Sequence, residues 1–454
     1  MSHVPPHSRG ALSRHAERSY FARVFRLPVQ SFIHTEAISG VILLAATGAA
    51  LVWANSPWSD SYHRFWETRL ALDVALFQVS KPLEAWVNDG LMAIFFFVVG
   101  LEIKRELLYG ELSSPGKAAL PVIAAVGGMV MPAAIYLAIN AGGEAGRGWA
   151  IPMATDIAFA LGVLALLGRR CPLELRVFLL AVAVVDDLGV IFVIAVAYSE
   201  SMELVQLGIA AGIVGAVVAA NRLGINHSFV TAALGFLLWV AVLKSGVHAT
   251  IAGVIMAALT PAKPSYSRDD FADSSEQLMV DYRQALERDD LERCEVILGH
   301  MEELSQGTEA PLERLERLAH PWSSYVILPV FALANAGIEF SRGIISEAAA
   351  SSVTVGLVVA LSLGKLSGIT AFPWLATRLG IAELPRGVSW GHVVGVGLLG
   401  GIGFTVAIFV TGLAFDRADL IEQSKIGILV ASLLSGGVGY LVLRFAVKET
   451  TGPR

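Results

Sequence analysis

Two adjacent acids in the middle of an apolar run have the clearest chemical potential in this sequence. Asp186 and Asp187 lie within Val177–Tyr198, a stretch that is otherwise uncharged and is long enough to cross a bilayer as a helix. Each carboxylate at a bilayer centre costs about 2.5–3.5 kcal/mol on insertion scales. Packing does not require this cost, so the pair predicts an ion or proton site. The alternative is two acids at a helix end that reach water, but apolar residues extend about equally far on both sides.

A basic residue occupies a similar depth in another apolar run. Lys365 lies near the middle of Val353–Ala376. A buried ammonium group loses its proton or finds an acidic partner. The acids expected at that depth are Asp186, Asp187 and Asp156. Snorkelling to the surface is the alternative, although a central lysine has far to reach.

Two apolar runs contain residues that interrupt helices. Ala150–Ala160 contains a proline and the polar pair Thr155 and Asp156, and Gly395–Phe409 contains five glycines. We expect both helices to break at membrane depth, where unwound carbonyls and half-helix ends bind ions. Close helix packing explains the glycines alone equally well.

These groups together suit the exchange of a hard cation against protons. Neighbouring aspartates are about 100° apart on a helix, so one can pair with Lys365 while the other faces a water-filled funnel. Thr155 and unwound carbonyls would complete an all-oxygen cation site. Desolvation and a like-charged neighbour favour the protonated carboxyl, so protons and a monovalent cation would compete near neutral pH.

The composition predicts that the elements positioning these residues are membrane helices. The chain has 454 residues, of which 55% are hydrophobic and 16% charged, and its mean hydropathy is +0.64. A soluble protein carries about 25% charged residues. The two cysteines, Cys171 and Cys294, suggest neither a disulfide framework nor a metal cluster. Met1–Gln30 lacks the apolar core of a cleavable signal peptide.

Twelve apolar segments are long enough to be spanning candidates, so we predict an all-α polytopic membrane protein. Spans 4 and 11 are the interrupted ones, and spans 3–5 and 10–12 would be inverted repeats of one unit. Outside the long loop, Lys and Arg number 17 on the side of the termini and 8 on the other, which predicts cytoplasmic termini. The predicted spans are 34–54, 83–108, 118–140, 149–168, 172–198, 203–221, 227–244, 246–262, 322–340, 352–377, 388–414 and 424–446.

The predicted organisation therefore has five parts. They are a basic cytoplasmic arm (1–33), spans 1–8 (34–262), an acidic cytoplasmic insertion (263–320), spans 9–12 (321–447) and a cytoplasmic tail (448–454).

Two loops have patterns of their own. Asn55–Pro82 alternates apolar and polar residues over a short run, which fits a small β-hairpin and an irregular loop equally well. Pro264–His320 carries 15 acids and 6 bases and predicts amphipathic helices at about 273–288 and 290–305. We interpret this hairpin as solvated and without chemistry of its own.

Further charges cluster at the ends of spans. Gly100–Glu106 ends the second span, and Leu312–Trp322 leads into the ninth. Both should lie at the cytoplasmic entrance, where interfacial anchoring explains them as well as function does. His248, near the outer start of the eighth span, fits a packing histidine as well as a titrating one.

Six groups of motifs, in the order in which they occur along the chain, resemble the NhaA family of bacterial sodium/proton antiporters. The resemblance runs from about His34 to Phe445, apart from the long inner loop. Its carriers are VVDDLGVI at 184–191, ATDIAFALG at 154–162, VGLEIKREL at 99–107, KSGVHATIAGV at 244–254, LERLAHPW at 315–322 with LPVFALANAGI at 328–338, and GGIGFTVAIF at 400–409.

The resemblance implies roles for these residues. Asp187 would be the main cation ligand together with Asp186, and Lys365 would pair with Asp186. Thr155 and Asp156 would lie where the broken helices cross and balance half-helix dipoles. The positions it links to pH regulation are Glu102, Arg314, Glu316 and His320, to which we add His248 as a candidate. The family's outer hairpin makes a dimer contact, which implies a homodimer through 55–82. The acidic insertion at about 264–310 is the main departure.

We therefore predict an electrogenic, pH-regulated Na⁺(Li⁺)/H⁺ antiporter of a bacterial inner membrane, with no cofactor and no nucleic-acid partner. An intramembrane aspartyl protease is disfavoured because its YD and GxGD strings are missing and adjacent aspartates on one helix cannot flank a peptide bond. A primary pump would need a P-loop, and the two Gly-Lys pairs lack its other residues. A cation channel or another cation/H⁺ exchanger is the remaining alternative, although paired acids with a lysine suit tight alternating binding better than leak.

Overall fold

The protein is described by a computed structural model over residues 27–74, 77–168, 171–199, 202–224 and 228–446. Most of the predicted basic arm and the whole predicted tail, 448–454, lie outside these ranges. Helices dominate, and the first half of the chain also forms one β-hairpin. Up to residue 259 the elements are α1 (Leu27–Ala54), α2 (Ser59–Glu67), β1 (Arg69–Val74), β2 (Phe77–Pro82), α3 (Leu83–Tyr109), a 3₁₀ turn (Glu111–Ser113), α4 (Pro115–Ile139), a 3₁₀ helix (Glu144–Met153), α5 (Ile157–Leu166), α6 (Leu173–Ala197), α7 (Leu204–Arg222), α8 (Ser228–Leu243) and α9 (Ile251–Leu259).

The second half of the chain is helical throughout its described elements. They are α10 (Arg268–Glu287), α11 (Leu291–Thr308), α12 (Pro311–Trp322), a π-helical turn (Ser323–Ile327), α13 (Leu328–Asn335), α14 (Arg342–Ala350), α15 (Ser352–Arg378), α16 (Trp390–Leu399), α17 (Phe404–Ala414) and α18 (Ala418–Leu441), which ends in a π-helical turn (Val442–Ala446).

The prediction of a polytopic helical membrane protein is confirmed, but the count of twelve is not. Among the described residues, six helices are long and apolar enough to span a membrane: α3, α4, α6, α7, α15 and α18 in its extent to Phe445. Three bent pairs raise the number to nine if each pair is one span. The predicted eighth span contains α9, a helix of 9 residues, whereas the predicted ninth span contains α13, which continues from α12 through the π-helical turn Ser323–Ile327. By length and composition, the described helices therefore give between six and nine spans.

The described chain divides into two compact units. Unit 1 comprises residues up to Ser56, Ile123–Ala183 and the chain from Ala336 onward, and unit 2 comprises Pro57–Val122 and Val184–Asn335. Each unit is assembled from segments that are distant in sequence. The α6 helix contributes its first half to unit 1 and its second half to unit 2.

Unit 1 packs its helices closely through glycines. A Cβ added to Gly127 on α4 would lie 2.4 Å from the carbonyl oxygen of Gly368 on α15, and one added to Gly368 would lie 2.1 Å from that of Gly127. Neither position accommodates a side chain unless the backbones separate. Small residues at helix crossings permit this approach, which is how membrane helices gain packing energy without a hydrophobic driving force.

Unit 2 contains a tight helix pair and an aromatic cluster. On α9, a Cβ at Gly253 would lie 2.1 Å from the carbonyl oxygen of Ala93 on α3. Trp86 and Trp239 lie with ring centroids 5.9 Å apart, and the Trp239 indole N–H donates to the Asp89 carbonyl at 2.9 Å. These contacts fix α3 against α8 and α9.

The segment 55–82 contains the hairpin that the sequence left as one of two possibilities. Strands β1 and β2 pair antiparallel, from Arg69 opposite Pro82 to Val74 opposite Phe77. Tyr62 on α2 donates its hydroxyl to the carbonyls of Leu333 and Ala334 at 2.9 Å, which satisfies carbonyls at the end of α13.

The acidic insertion forms two helices, α10 and α11, that pack on each other around Ala285, Cys294 and Ile297. The first helix begins at Arg268, five residues before the predicted start, because Ser267 and Asp270 form a capping box. The hairpin closes at its base, where the backbone N–H groups of Ser265 and Leu312 donate to the carbonyls of Gly307 and Pro261 at 2.8 and 3.0 Å.

Candidate functional site

The paired aspartates lie deep within α6, as the sequence predicts. Asp186 is 0% exposed and Asp187 is 3% exposed. The helix continues for more than two turns on each side, from Leu173 to Ala197. Both acids belong to unit 2. The alternative of two acids at a helix end is therefore wrong.

Both interrupted spans are broken where the sequence predicts. The 3₁₀ helix Glu144–Met153 meets α5 at 43°, and α16 meets α17 at 47°. The two breaks are joined directly within unit 1. Thr155 donates its hydroxyl to the carbonyl of Gly400 at 2.9 Å, and the backbone N–H of Asp156 donates to the carbonyl of Ile402 at 2.6 Å. The unwound residues of each span therefore satisfy polar backbone groups of the other.

The carboxylate of Asp156 caps two half-helices at once. One oxygen accepts the backbone N–H of Phe159 in α5 at 3.1 Å. The other accepts the backbone N–H of Thr405 in α17 at 3.1 Å and its hydroxyl at 2.5 Å. Asp156 is 2% exposed. A negative charge beside two helix N-termini, each carrying about half a positive charge, is stabilised by both dipoles.

Lys365 is fully buried and holds the opposite kind of helix end. Its ammonium group donates to the carbonyl of Met153 at 2.5 Å, at the C-terminal end of the 3₁₀ helix. A cation at carbonyls with no partner in their own helix complements the negative end of the dipole. Lys365 directly follows a π-helical turn, Ala360–Gly364, in α15. The alternative that Lys365 snorkels to the surface is wrong, whereas its pairing with Asp186 stays a prediction.

A charged cluster connects α3 to α12 within unit 2. A carboxylate oxygen of Glu102 lies 3.4 Å from Nε2 of His320, and the guanidinium group of Arg105 pairs with the carboxylate of Glu316. Burial raises the pKa of Glu316 above its usual range, although Arg105 and His320 oppose that shift. The sequence-predicted residues Glu102, Glu316 and His320 therefore meet.

Two further basic residues lie close to this cluster in the sequence. Lys104 donates to the carbonyls of Ala258 and Thr260 at 2.6 Å each, and so caps the C-terminal end of α9. Arg314 is also on α12, where it lines a mostly apolar cavity of about 1000 Å³ within unit 2. Of the predicted pH-regulation residues on α3 and α12, three therefore lie in the charged cluster, whereas Arg314 lies at the cavity.

His248 belongs to a second charged cluster, at the hairpin end of α3. Its Nε2 lies 4.0 Å from a carboxylate oxygen of Asp89, and the other oxygen of Asp89 accepts from Lys81 at 2.5 Å. Its Nδ1 lies 2.8 Å from the hydroxyl of Thr250. His248 is therefore a partly buried member of an ionic network rather than an isolated packing residue.

Sequence reasoning missed several residues of these sites. The role of Thr405 was not predicted, although a threonine two residues after the last glycine of the glycine-rich apolar run Gly395–Phe409 was a usable signal. An acid inside a predicted span could likewise have identified Asp89. Nothing in the sequence indicated the Met153 carbonyl as the partner of Lys365. In the described ranges, no three His, Cys, Asp or Glu side chains converge as in a resident metal centre.

Comparisons with known proteins agree with this architecture. Residues 30–443 match the family described as Na⁺/H⁺ antiporter 1. The chain is 48% identical to the Na(+)/H(+) antiporter NhaA of Oleidesulfovibrio alaskensis, over 93% of this chain and 94% of that protein. It is 46% identical to the Na(+)/H(+) antiporter NhaA of Koribacter versatilis, over 95% and 94%. It is 45% identical to the Na(+)/H(+) antiporter NhaA 2 of Sorangium cellulosum, over 93% and 92%.

Proposed function

Because the chain belongs to the Na⁺/H⁺ antiporter 1 family, we propose that it exchanges Na⁺ or Li⁺ for protons at one shared site built on Asp186 and Asp187. The observation that carries this proposal is the complete burial of two adjacent carboxylates in the middle of a membrane helix. Such a pair costs several kcal/mol in a membrane unless it binds a cation or protons. The transport of ions needs no cofactor, and the protein is a transporter rather than an enzyme.

The shared site explains exchange without a separate coupling device. Two buried, adjacent carboxylates retain protons more strongly than carboxylates in water. A Na⁺ ion that binds their oxygens displaces those protons on one side of the membrane, and protons displace Na⁺ on the other. Release of two protons for one monovalent cation would move net charge, which is why we propose electrogenic exchange driven by the proton gradient.

The broken helices of unit 1 present polar groups at membrane depth. We propose that Thr155 and Asp156 contribute oxygens to the Na⁺ path, because both are almost fully buried at the break between two spans. Lys365 is proposed to stabilise the acidic site in its unloaded state. Its burial and its contact with the Met153 carbonyl support a place within the membrane rather than at its surface.

We further propose that two ionic clusters regulate exchange by pH. Glu102, Glu316 and His320 form one, with Arg314 on the same helix, and His248 belongs to the other. The raised pKa of Glu316 supports titration closer to neutral pH than an exposed glutamate would show. Each cluster connects α3 to other elements of unit 2, so a change in charge alters how α3 packs.

We place the protein in a bacterial inner membrane as a homodimer, with both termini in the cytoplasm. The excess of Lys and Arg on one side of the spans supports this orientation. The two-stranded hairpin β1–β2 supports the dimer, because a small sheet has edges that can pair with a second copy. The acidic insertion 264–310 then lies in the cytoplasm.

Exchange can be tested with purified protein in liposomes that contain a pH-sensitive dye. With the membrane potential clamped, a Na⁺ or Li⁺ gradient should drive protons uphill, and K⁺ should have little effect. Asp187→Asn and Asp186→Asn should each abolish exchange, because asparagine keeps the shape but loses the charge and the titratable proton. Asp416→Asn, at an acid whose side chain is 94% exposed, is the matched control and should behave like wild type. Na⁺ flux without proton movement would instead identify a channel.

The same preparation tests whether Na⁺ and H⁺ share one site. Apparent Na⁺ affinity should rise with pH by about tenfold per unit for each proton displaced, then level off once the carboxylates are ionised. Saturating Na⁺ should reciprocally favour loss of those protons. Calorimetry across pH 6–9 measures the affinity. An affinity independent of pH would mean that Na⁺ and H⁺ bind separately.

A further inference from the structure

A histidine outside the clusters described above caps the half-helix that supports Thr155 and Asp156. His392 is the third residue of α16, and it is 2% exposed. Its Nδ1 accepts the backbone N–H of Ser389, the residue before the helix, at 3.0 Å, and it lies 2.9 Å from the Ser389 hydroxyl. His392 thus occupies the place that Glu or Gln takes in a capping box.

The hydrogen bond to Ser389 determines the protonation state of this histidine. A backbone N–H can only donate, so Nδ1 must be unprotonated and the neutral ring must carry its proton on Nε2. Within the described part of the chain, Nε2 is buried and has no hydrogen-bond partner. A protonated ring carries a proton on Nδ1, so it would lose the bond from the Ser389 N–H, keep only the Ser389 hydroxyl as an acceptor, and place a positive charge at a buried position.

The charged and titratable groups on the elements around His392 lie mostly toward the far end of α16. The elements packed against α16 are α15 and α18 with its terminal π turn. A Cβ added to Gly397 would contact Leu366 on α15, and one added to Gly401 would contact Leu361 on the same helix. A Cβ added to Gly395 would contact Leu443 in the π turn after α18. Both neighbours therefore run antiparallel to α16. At the His392 end, the titratable or charged residues of these neighbours are Arg378, Tyr440 and Arg444. Toward the other end they are Lys365, Asp419, Glu422 and Lys425. The loop before α16 carries Glu383 and Arg386.

The other end of α16 leads directly to the break. The helix has ten residues, about 15 Å, and ends at Leu399. The next residues supply the carbonyls that hold the fourth span, from Gly400 to Thr155 and from Ile402 to Asp156. A change in the first turn of α16 therefore acts on a short rigid segment whose far end positions two residues of the proposed ion path.

We propose that His392 is a positioning residue for ion exchange, whose neutral form holds α16 in place and whose protonation at acidic pH releases the cap and misplaces the Gly400 and Ile402 carbonyls. This inference rests on the proposed exchange function. It assigns to unit 1 an acid-sensitive element of its own, separate from the ionic clusters of unit 2.

The test compares two substitutions whose effects on the cap differ. In His392→Gln the amide oxygen can accept the Ser389 N–H at every pH. Exchange at alkaline pH should stay within about twofold of wild type, and the midpoint of acid inactivation should move to lower pH by about 0.5–1 unit. In His392→Leu no acceptor remains, and exchange should fall roughly tenfold at all pH values. Ser341→Ala is the matched control, because it removes the cap of α14 in the same unit and should leave the pH profile unchanged.

Hydrogen–deuterium exchange supplies a readout that does not depend on transport. In wild type, the amides of residues 389–393, which include the Ser389 N–H that His392 accepts, should lose protection as the pH falls from 8 to 5.5, after correction for the intrinsic pH dependence of exchange. In His392→Gln this loss should not occur. The proposal would be overturned if, in His392→Gln, both the fall of exchange at acidic pH and the amide protection matched wild type. Because the amide measurement needs no Na⁺/H⁺ exchange, failure of the proposed function would be recognised separately.

Discussion

Replacement of Asp156 should destabilise the protein more than replacement of any one of its partners. Its carboxylate accepts hydrogen bonds from Phe159 and Thr405, and so caps α5 and α17 together. Loss of one helix N-cap costs about 0.5–2 kcal/mol. A buried hydrogen bond contributes about 1 kcal/mol, and a bond to a charged group contributes more. For Asp156→Ala we therefore expect a loss of about 2–5 kcal/mol, because two caps and a hydroxyl partner disappear.

Graded variants separate these contributions. Asp156→Asn keeps one carbonyl oxygen but directs an NH₂ group at one of the two N–H donors, so we expect a loss of about 1–3 kcal/mol. Thr405→Val removes only the hydroxyl bond and should cost about 1 kcal/mol. The double variant Asp156→Ala/Thr405→Val should lose less unfolding free energy than the sum of the losses in the two single variants, because the two residues are in direct contact.

The assay is thermal unfolding of the detergent-purified protein, followed with a thiol-reactive dye that reports the buried Cys171 and Cys294, alongside exchange in liposomes. The expected order of stability is wild type, Thr405→Val, Asp156→Asn and Asp156→Ala, and exchange should follow the same order. Asp60→Ala, at an exposed acid in the first turn of α2, is the control for the loss of a carboxylate at a helix N-terminus. An Asp156→Ala variant as stable as wild type would refute the double-cap reasoning.

Three further outcomes follow from other contacts. Lys365→Ala should lower the melting temperature and impair exchange because it leaves the Met153 carbonyl without its cation, whereas Lys365→Arg should be milder; wild-type melting and transport in Lys365→Ala would contradict this role. Deletion of Tyr266–Gly307 should leave exchange intact, since the insertion has its own core and is closed at its base; a correctly inserted deletion variant that is inactive at every pH would show that the insertion takes part in transport. The folded protein binds the Glu316 proton more tightly than the unfolded chain, so the contribution of Glu316 to stability should fall as pH rises from its ordinary pKa to its raised one. Glu316→Gln keeps a hydrogen-bonding partner for Arg105, and its melting temperature relative to wild type should therefore increase across that range; a constant difference would contradict the raised pKa.

Local properties of the chain were accessible from the sequence. A charge in a long apolar run has an insertion cost that can be recognised from the sequence, and it identified Asp186, Asp187 and Lys365 before any contact was known. Glycine, proline and polar pairs change backbone preference over a few residues, and they located both helix breaks correctly. The same local signals could not decide between a hairpin and a loop at 55–82, because strand pairing requires a partner strand and not only an alternating pattern.

Tertiary structure alone decided which groups meet. Asp156 and Thr405 are 249 positions apart, and Lys365 and Met153 are 212 apart, so no periodicity or motif connects them. The sequence showed that a buried lysine needs a partner, but a backbone carbonyl is present at every position and carries no compositional signal. His392 shows the same limit. Its residue type and position are ordinary, and only the bond to Ser389 and the burial of Nε2 reveal its protonation state. Hydropathy determines that a segment enters the membrane. The packing of distant segments determines which polar atoms are satisfied there, because a buried donor or acceptor needs a hydrogen-bond partner and only the fold supplies one.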